Sequence, residues 1–133
     1  MRTDITDAAA AQHLAESALE AFGRVDSLVN NAFAVPPITP LADVDLEAVR
    51  AGLETSVVAT LRLTRLFVPA LSEAKGSVVM INSAVLRHSR GGFGPYKVAK
   101  AGLMAMSETL ATELGPLGVR VNTVAPGYIW PVR

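Results

Sequence analysis

The sequence predicts an α/β fold with a parallel sheet, an incomplete core of about three strands and three helices. Three observations predict it. Short apolar runs alternate with longer stretches whose apolar residues recur at helical spacing. One run, Val78-Val79-Met80-Ile81, is apolar at consecutive positions, so both of its faces need cover, as in a buried parallel strand. Gly23, Gly76 and the pair Gly115 and Gly118 punctuate the transitions between these stretches.

Each element follows in order. Thr6 or Asp7 can cap a first helix that runs to Phe22 and stops at Gly23, with Leu14, Ala18, Ala21 and Phe22 as its apolar stripe. Ser27 to Asn30 reads as a short strand. Val35 to Pro40 contains Pro36, Pro37 and Pro40 and must be loop. A long helix is expected from about Asp45 to Glu73, with Leu53, Val57, Leu61, Val68 and Leu71 on one face and a kink at Pro69. Gly76 breaks it, and Ser77 to Ile81 reads as the next strand. Gly94 or Pro95 opens a helix whose core face is Ala99, Leu103, Met106, Leu110 and Leu114. Gly115 and Gly118 bracket a turn into a last strand, Val119 to Val124.

Composition narrows the function classes. The chain has 133 residues, enough for one domain with a core, and half of them are hydrophobic. Twelve basic and twelve acidic side chains are scattered along it and cancel, which argues against a nucleic-acid stripe or an anionic membrane surface as partner. Cysteine is absent, removing disulfides, thiolate metal sites and cysteine nucleophiles. No apolar run approaches the roughly 18 residues a membrane span needs, and the alanine-rich, acidic start carries no leader pattern, so a cytoplasmic location is expected. His13 reads as a solvated helix residue and His88 as a loop residue; no ligand cluster accompanies them and no metal is expected. No Gly-x-Ser-x-Gly turn surrounds Ser83, which argues against a serine hydrolase.

The chemistry-bearing spacing is that of Ser83, Tyr96 and Lys100. Tyr96 and Lys100 are four residues apart, one helical turn, so a phenol and an ammonium project side by side. Alone, such a pair is more often a solvated helix edge than a catalytic unit. A cation one turn away nevertheless favours a phenolate over a phenol, and a hydroxyl from a neighbouring strand end can hold a substrate oxygen while charge develops on it. These are the parts of a proton-transfer site for a carbonyl/alcohol pair.

Four motifs surround that trio in order: Asn30-Asn31-Ala32 after one strand, Ile81-Asn82-Ser83 ending another, Tyr96-x-x-x-Lys100 opening a helix, and Pro126-Gly127-Tyr128-Ile129 after a third strand. In this order and spacing the chain resembles the short-chain dehydrogenase/reductase family of NAD(P)-dependent oxidoreductases, over essentially its whole length. The resemblance implies a three-layer, doubly wound, Rossmann-like parallel sheet, an alcohol or ketone as small-molecule substrate, NAD or NADP as cofactor, and a homo-oligomer. It implies Tyr96 as general acid and base, Lys100 as its cationic partner and a contact to the nicotinamide ribose, and Ser83 as the group orienting the substrate oxygen. Asp4 and Ile5 would touch the adenine, Asn30 would lie on the adenosine side, and Gly127 with the Ile129 backbone would lie near the carboxamide. Three positions depart from the family's pattern. Ser56 stands where an asparagine is thought to hold a proton-relay water, Phe33 where a glycine follows Asn-Asn-Ala, and Trp130-Pro131 where a threonine is usual.

No glycine-rich turn follows an early strand, where backbone amides and a helix N-terminus would receive the pyrophosphate. Gly91-Gly92-Phe93-Gly94 lacks the required spacing and reads as a flexible active-site loop. Residues 1–133 are therefore expected to be the middle of a Rossmann-like domain, without the phosphate-binding strands or the substrate loop. All three helices would then cover one face of the sheet and leave the other bare. A truncated, non-catalytic Rossmann-like interaction module is the alternative reading.

Overall fold

The computed structural model describes residues 1–34 and 37–129. The first helix, α1 (Ala8–Phe22), is capped by Asp7, whose carboxylate accepts from the amides of Ala9 and Ala10. Thr6, the other candidate cap, donates to Asp4 instead. Gly23 ends the helix in the left-handed region at φ 71°. The buried stripe is shifted from the expected one: Ala11 and Ala15 are buried and Leu14 and Ala18 half-buried, while Ala21 and Phe22 are exposed. Phe22 lies on the same stripe as Ala18 but one turn farther on, past the reach of the core.

Strand β1 (Ser27–Asn30) has the expected bounds. The long helix runs where expected but is not uniform. It consists of α2 (Leu46–Leu53), a π-helical segment (Glu54–Ala59) and α3 (Thr60–Ala74). The wider π turn rotates everything after it, because each residue advances the helix by about 100°. Leu53 and Val57 consequently face the last helix, whereas the buried positions beyond the π segment are Leu63, Thr64, Phe67 and Leu71. Leu61 and Val68, expected on the core face, are only half-buried. Pro69 does not stop the helix, which ends at Lys75 in a left-handed conformation, φ 51°.

Strand β2 (Ser77–Ile81) leads into helix α4 (Gly94–Leu114) and strand β3 (Arg120–Val124). Along α4 the expected Ala99, Leu103, Leu110 and Leu114 are buried and Met106 is half-buried; Lys100 and Ser107 join the buried face. The sheet is parallel throughout, in the order β1-β2-β3, with Asn30 opposite Met80 and Ile81 opposite Val124. Val35, Pro36 and Trp130-Pro131 lie outside the described residues.

One core cluster contains residues of α1, α3 and α4 together with Val78 and Met80 of β2, so these three helices cover the same face. The alternate side chains point the other way: Val29 is 57% and Val124 49% exposed, and Val79 and Ile81 are half-buried. Among the described residues nothing covers that face.

Two glycines are required by close approach. A side chain on Gly92, whose φ is +81°, would meet Ile38 Cγ2 at 2.7 Å, and the Gly92 carbonyl accepts from the Thr39 amide at 3.0 Å. Gly92 and Gly94 thus pack against Ile38 and Leu41 of the loop after β1, whereas a side chain on Gly91 would meet nothing within 4 Å. At Gly76, where the chain turns into β2, a Cβ would lie 2.5 Å from the Asp26 carbonyl oxygen. That oxygen is backbone, held by the Ser77 amide at 3.0 Å, and cannot swing away. Gly76→Ala is expected to destabilise the protein by about 1–3 kcal/mol, measured by urea denaturation, with the midpoint lowered and the slope unchanged.

Candidate active site

Parallel strands in register end together, and the loops that leave their C-terminal ends meet at one edge, where open α/β sheets place their ligands. Here those loops are Asn31–Phe33 after β1, Asn82–Ser83 after β2 and the segment 125–129 after β3. Backbone pairing continues past the strands: the Asn82 amide donates to the Val124 carbonyl at 2.7 Å and the Ala84 amide to the Pro126 carbonyl at 2.9 Å. Pro126 is therefore held beside Ala84, with Gly127 next in the chain and Ile129 78% exposed.

Ser83 caps a one-turn 3-10 helix, residues Ala84–Arg87, its Oγ accepting from the Val85 amide at 3.1 Å. The hydroxyl proton is left to donate. Tyr96 lies in the first turn of α4 and Lys100 one turn on, as the spacing requires. Lys100 is only 4% exposed, and its Nζ donates to the Ile81 carbonyl at 2.7 Å. The ammonium also lies 4.8 Å from the Phe33 ring centroid and 5.8 Å from that of Tyr96, and the two rings are 4.9 Å apart at an interplanar angle of 52°. Burial pushes the Lys100 ammonium below the ordinary lysine value.

Asn82 was legible only as part of a motif, yet it ties the trio together. Its side-chain NH2 donates to the Lys100 carbonyl at 3.1 Å while its Oδ1 accepts from the Ser83 amide at 2.8 Å. One residue thus fixes the strand end carrying Ser83 to the helix carrying Lys100. The available signal was a polar residue closing an apolar strand. Phe33 was legible only as a departure from a pattern; its contact with Tyr96 and Lys100 depends on the path of the loop after β1.

The remaining candidates fall in three places. Asn30 is 8% exposed and its amide donates to Thr64 Oγ1 at 3.0 Å and to Met80 Sδ at 3.3 Å, so its side chain is committed to the core. Asp4 and Ile5 line a cavity of about 600 Å³ together with Ala32, Phe33, Glu54 and Thr55. Their segment is clipped to the long helix by Arg62, which donates to the carbonyls of Ile5 and Thr6 and pairs with Glu54 at 3.3 Å. The Thr6 amide and hydroxyl both donate to Asp4 Oδ1, which holds that carboxyl below its usual range. Ser56 lies within the π-helical segment, 2% exposed, and its Oγ is buried without a hydrogen-bond partner among the described residues. Among those residues no group of three or more metal-ligating side chains occurs, and no helix is long and apolar enough to cross a membrane.

Comparison with known proteins gives a consistent pattern. A family model described as Enoyl-(Acyl carrier protein) reductase matches residues 1–132. L-fucose dehydrogenase of Oryctolagus cuniculus is 32% identical over 130 residues, covering 98% of this chain and 46% of that protein. Dehydrogenase/reductase SDR family member 4 of Homo sapiens is 36% identical over 119 residues, covering 89% and 43%. A short-chain dehydrogenase from Streptomyces avermitilis superposes with a TM-score of 0.90 at 36% identity, covering 98% of this chain and 48% of that one. NAD+-bound xylitol dehydrogenase superposes at 0.91 with 25% identity, covering 98% and 50%. The chain spans about half the length of the curated relatives it matches.

Two outcomes follow for stability. Asn82→Ala leaves the part-buried Ser83 amide without its partner and removes the second bond of the Lys100 carbonyl, and should cost about 1–2 kcal/mol, whereas Ser56→Ala removes an unpaired buried hydroxyl and should be neutral or slightly stabilising; chemical denaturation compares them directly. The second concerns pH. Lys100 titrates below the ordinary value of 10.5 in the folded state, so in the window between its lowered value and 10.5 the unfolded chain binds more protons. The stability of the wild type relative to Lys100→Met should therefore rise with pH across that window. A difference that stays flat would show that burial does not set this titration.

Proposed function

Because the chain belongs to the short-chain dehydrogenase/reductase family, we propose that the full-length protein is an NAD(P)-dependent oxidoreductase that interconverts an alcohol and the corresponding ketone. The observation that carries this reading is that, at the C-terminal edge of the sheet, Asn82 links the Ser83 amide to the Lys100 carbonyl while the Lys100 ammonium donates to the Ile81 carbonyl, one helical turn from Tyr96. Bound NAD(P) supplies or accepts the hydride. In reduction the Tyr96 hydroxyl gives its proton to the substrate oxygen; in oxidation the phenolate takes it back. The Ser83 hydroxyl, one lone pair engaged by the Val85 amide, donates to that same oxygen while negative charge builds on it. Lys100 brings a positive charge to the phenol from a buried position, where solvent screens it less than at the surface.

The residues fit an elongated dinucleotide. The cavity beside Asp4, Ile5, Ala32 and Phe33 suits a flat adenine, with Asp4 ionised and its Oδ2 free to accept from an amino group. Asn30 would contribute through its backbone, since its amide serves the core. Gly127 and the Ile129 backbone would face the nicotinamide end, and Lys100 would turn to its ribose. Ser56 takes the proton-relay role: an unpaired hydroxyl on a π-helical turn suits a bound water passing protons from Lys100 to solvent.

Residues 1–133 then form part of a larger Rossmann-type domain, in keeping with relatives about twice as long. Self-association of the whole protein is supported by Val58 on the long helix and Val98 on α4, exposed by 46% and 41%. A cytoplasmic location, with access to NAD(P) pools, completes the reading.

In the full-length protein, Tyr96→Phe should lower turnover by about 10²–10⁴-fold, because the hydroxyl carries the proton. Cofactor affinity, read by titration calorimetry, should stay within about twofold, since the ring is kept. A Phe variant that retained turnover would sink the assignment.

A further inference from the structure

The Lys100 ammonium is useful to Tyr96 only while it is charged, and burial works against that. At 4% exposure, burial shifts the balance toward the neutral form. A carboxylate would be the usual remedy, yet among the described residues the ion pairs join Arg24 to Asp26, Arg50 to Glu47 and Arg62 to Glu54, and none reaches Lys100. What surrounds the ammonium is the Ile81 carbonyl at 2.7 Å, the Phe33 ring at 4.8 Å and the Tyr96 ring at 5.8 Å. Asn82, from the end of β2, meets the Lys100 backbone and carries no charge. Tyr96 is the one titratable side chain among these contacts. Phe33 comes closer than Tyr96 and arrives from a different element, the loop after β1.

We propose that Phe33 is a positioning residue of the site: the face of its ring keeps the Lys100 ammonium charged and beside Tyr96, and its tilted contact with the Tyr96 ring sets the direction of the phenol. The physical basis is the negative face of the aromatic ring, which attracts a cation more strongly where water is excluded. An aliphatic side chain of similar volume would fill the same space without that attraction. The same ring forms one wall of the cavity that holds Asp4 and Ile5, so a single side chain spans the space between that cavity and the proton-transfer pair. The inference rests on the oxidoreductase reading for its functional consequence and on the ring–ammonium geometry for its mechanism.

The test replaces Phe33 in the full-length protein by mono-, di- and trifluorophenylalanine, which keep the ring's shape while draining the negative charge from its face, and separately by Leu and Tyr. The readout is the NMR titration of the Lys100 side chain, assigned by its loss in Lys100→Met. Stepwise fluorination should move that titration progressively to lower pH. Phe33→Leu should move it in the same direction, and Phe33→Tyr should leave it near the wild type. At neutral pH the Leu variant should lose roughly two- to tenfold in kcat, with KM changed less. The fluorinated series carries the test even if Phe33→Leu folds poorly. A Lys100 titration indifferent to fluorination overturns the proposal whatever turnover does, because a purely structural ring would lower activity without moving it. Retained turnover in Tyr96→Phe would instead remove the oxidoreductase reading and leave the ring–ammonium pairing standing.

Discussion

The structure is organised around keeping one ammonium group out of water. Burying a charge costs several kcal/mol unless its surroundings replace the lost hydration, and Lys100 has no carboxylate among its described neighbours to do so. A strand-end carbonyl and two aromatic faces take that role, and each comes from a separate element: Ile81 from β2, Phe33 from the loop after β1, Tyr96 from α4 itself. These groups hold their positions only if sheet and helix keep their mutual register. Asn82 secures that register with one bond to each side. The cost of the buried charge therefore reaches into packing decisions several residues away.

Those decisions are visible where α2 meets α4. A side chain on Gly102 would come within 3.0 Å of Val57 Cγ2, and one on Gly52 would touch Ala99. Small residues let the helices approach closely beside Ala99, the neighbour of Lys100 on α4. The π-helical segment serves the same arrangement. It lets Leu53 and Val57 face α4 while Leu63 and Phe67, past the extra residue, face the sheet. The same insertion turns the Ser56 hydroxyl inward, where no described side chain or backbone group pairs with it. Irregular helical turns of this kind concentrate at working sites.

The sheet is covered on one side only. Right-handed crossovers between neighbouring parallel strands in the order β1-β2-β3 must place successive helices on the same face. Val29 and Val124 are left exposed and Val79 and Ile81 half-covered on the other. Parallel strands apolar on both faces belong in a three-layer arrangement, which fits relatives about twice as long as this chain.

Sequence alone was enough for what depends on local chemistry. The cap at Thr6 or Asp7, the stop at Gly23, the strands at Ser27 and Ser77, and the start of α4 at Gly94 or Pro95 follow from neighbouring residues, and the structure selects Asp7 and Gly94. The juxtaposition of Tyr96 and Lys100 is equally local, being one turn of helix. The tertiary structure decided what depends on distant partners. It turned Asn30 into the core toward Thr64, pinned Gly92 beneath Ile38, and brought Phe33 across to Lys100. It also rotated the long helix at Glu54–Ala59, so that a stripe drawn with a constant period missed Leu63 and Phe67. Periodicity and spacing record what a residue does with its neighbours in the chain. Whether an aromatic ring meets a cation more than sixty positions away is set by the path of the backbone between them, and no local pattern encodes that path.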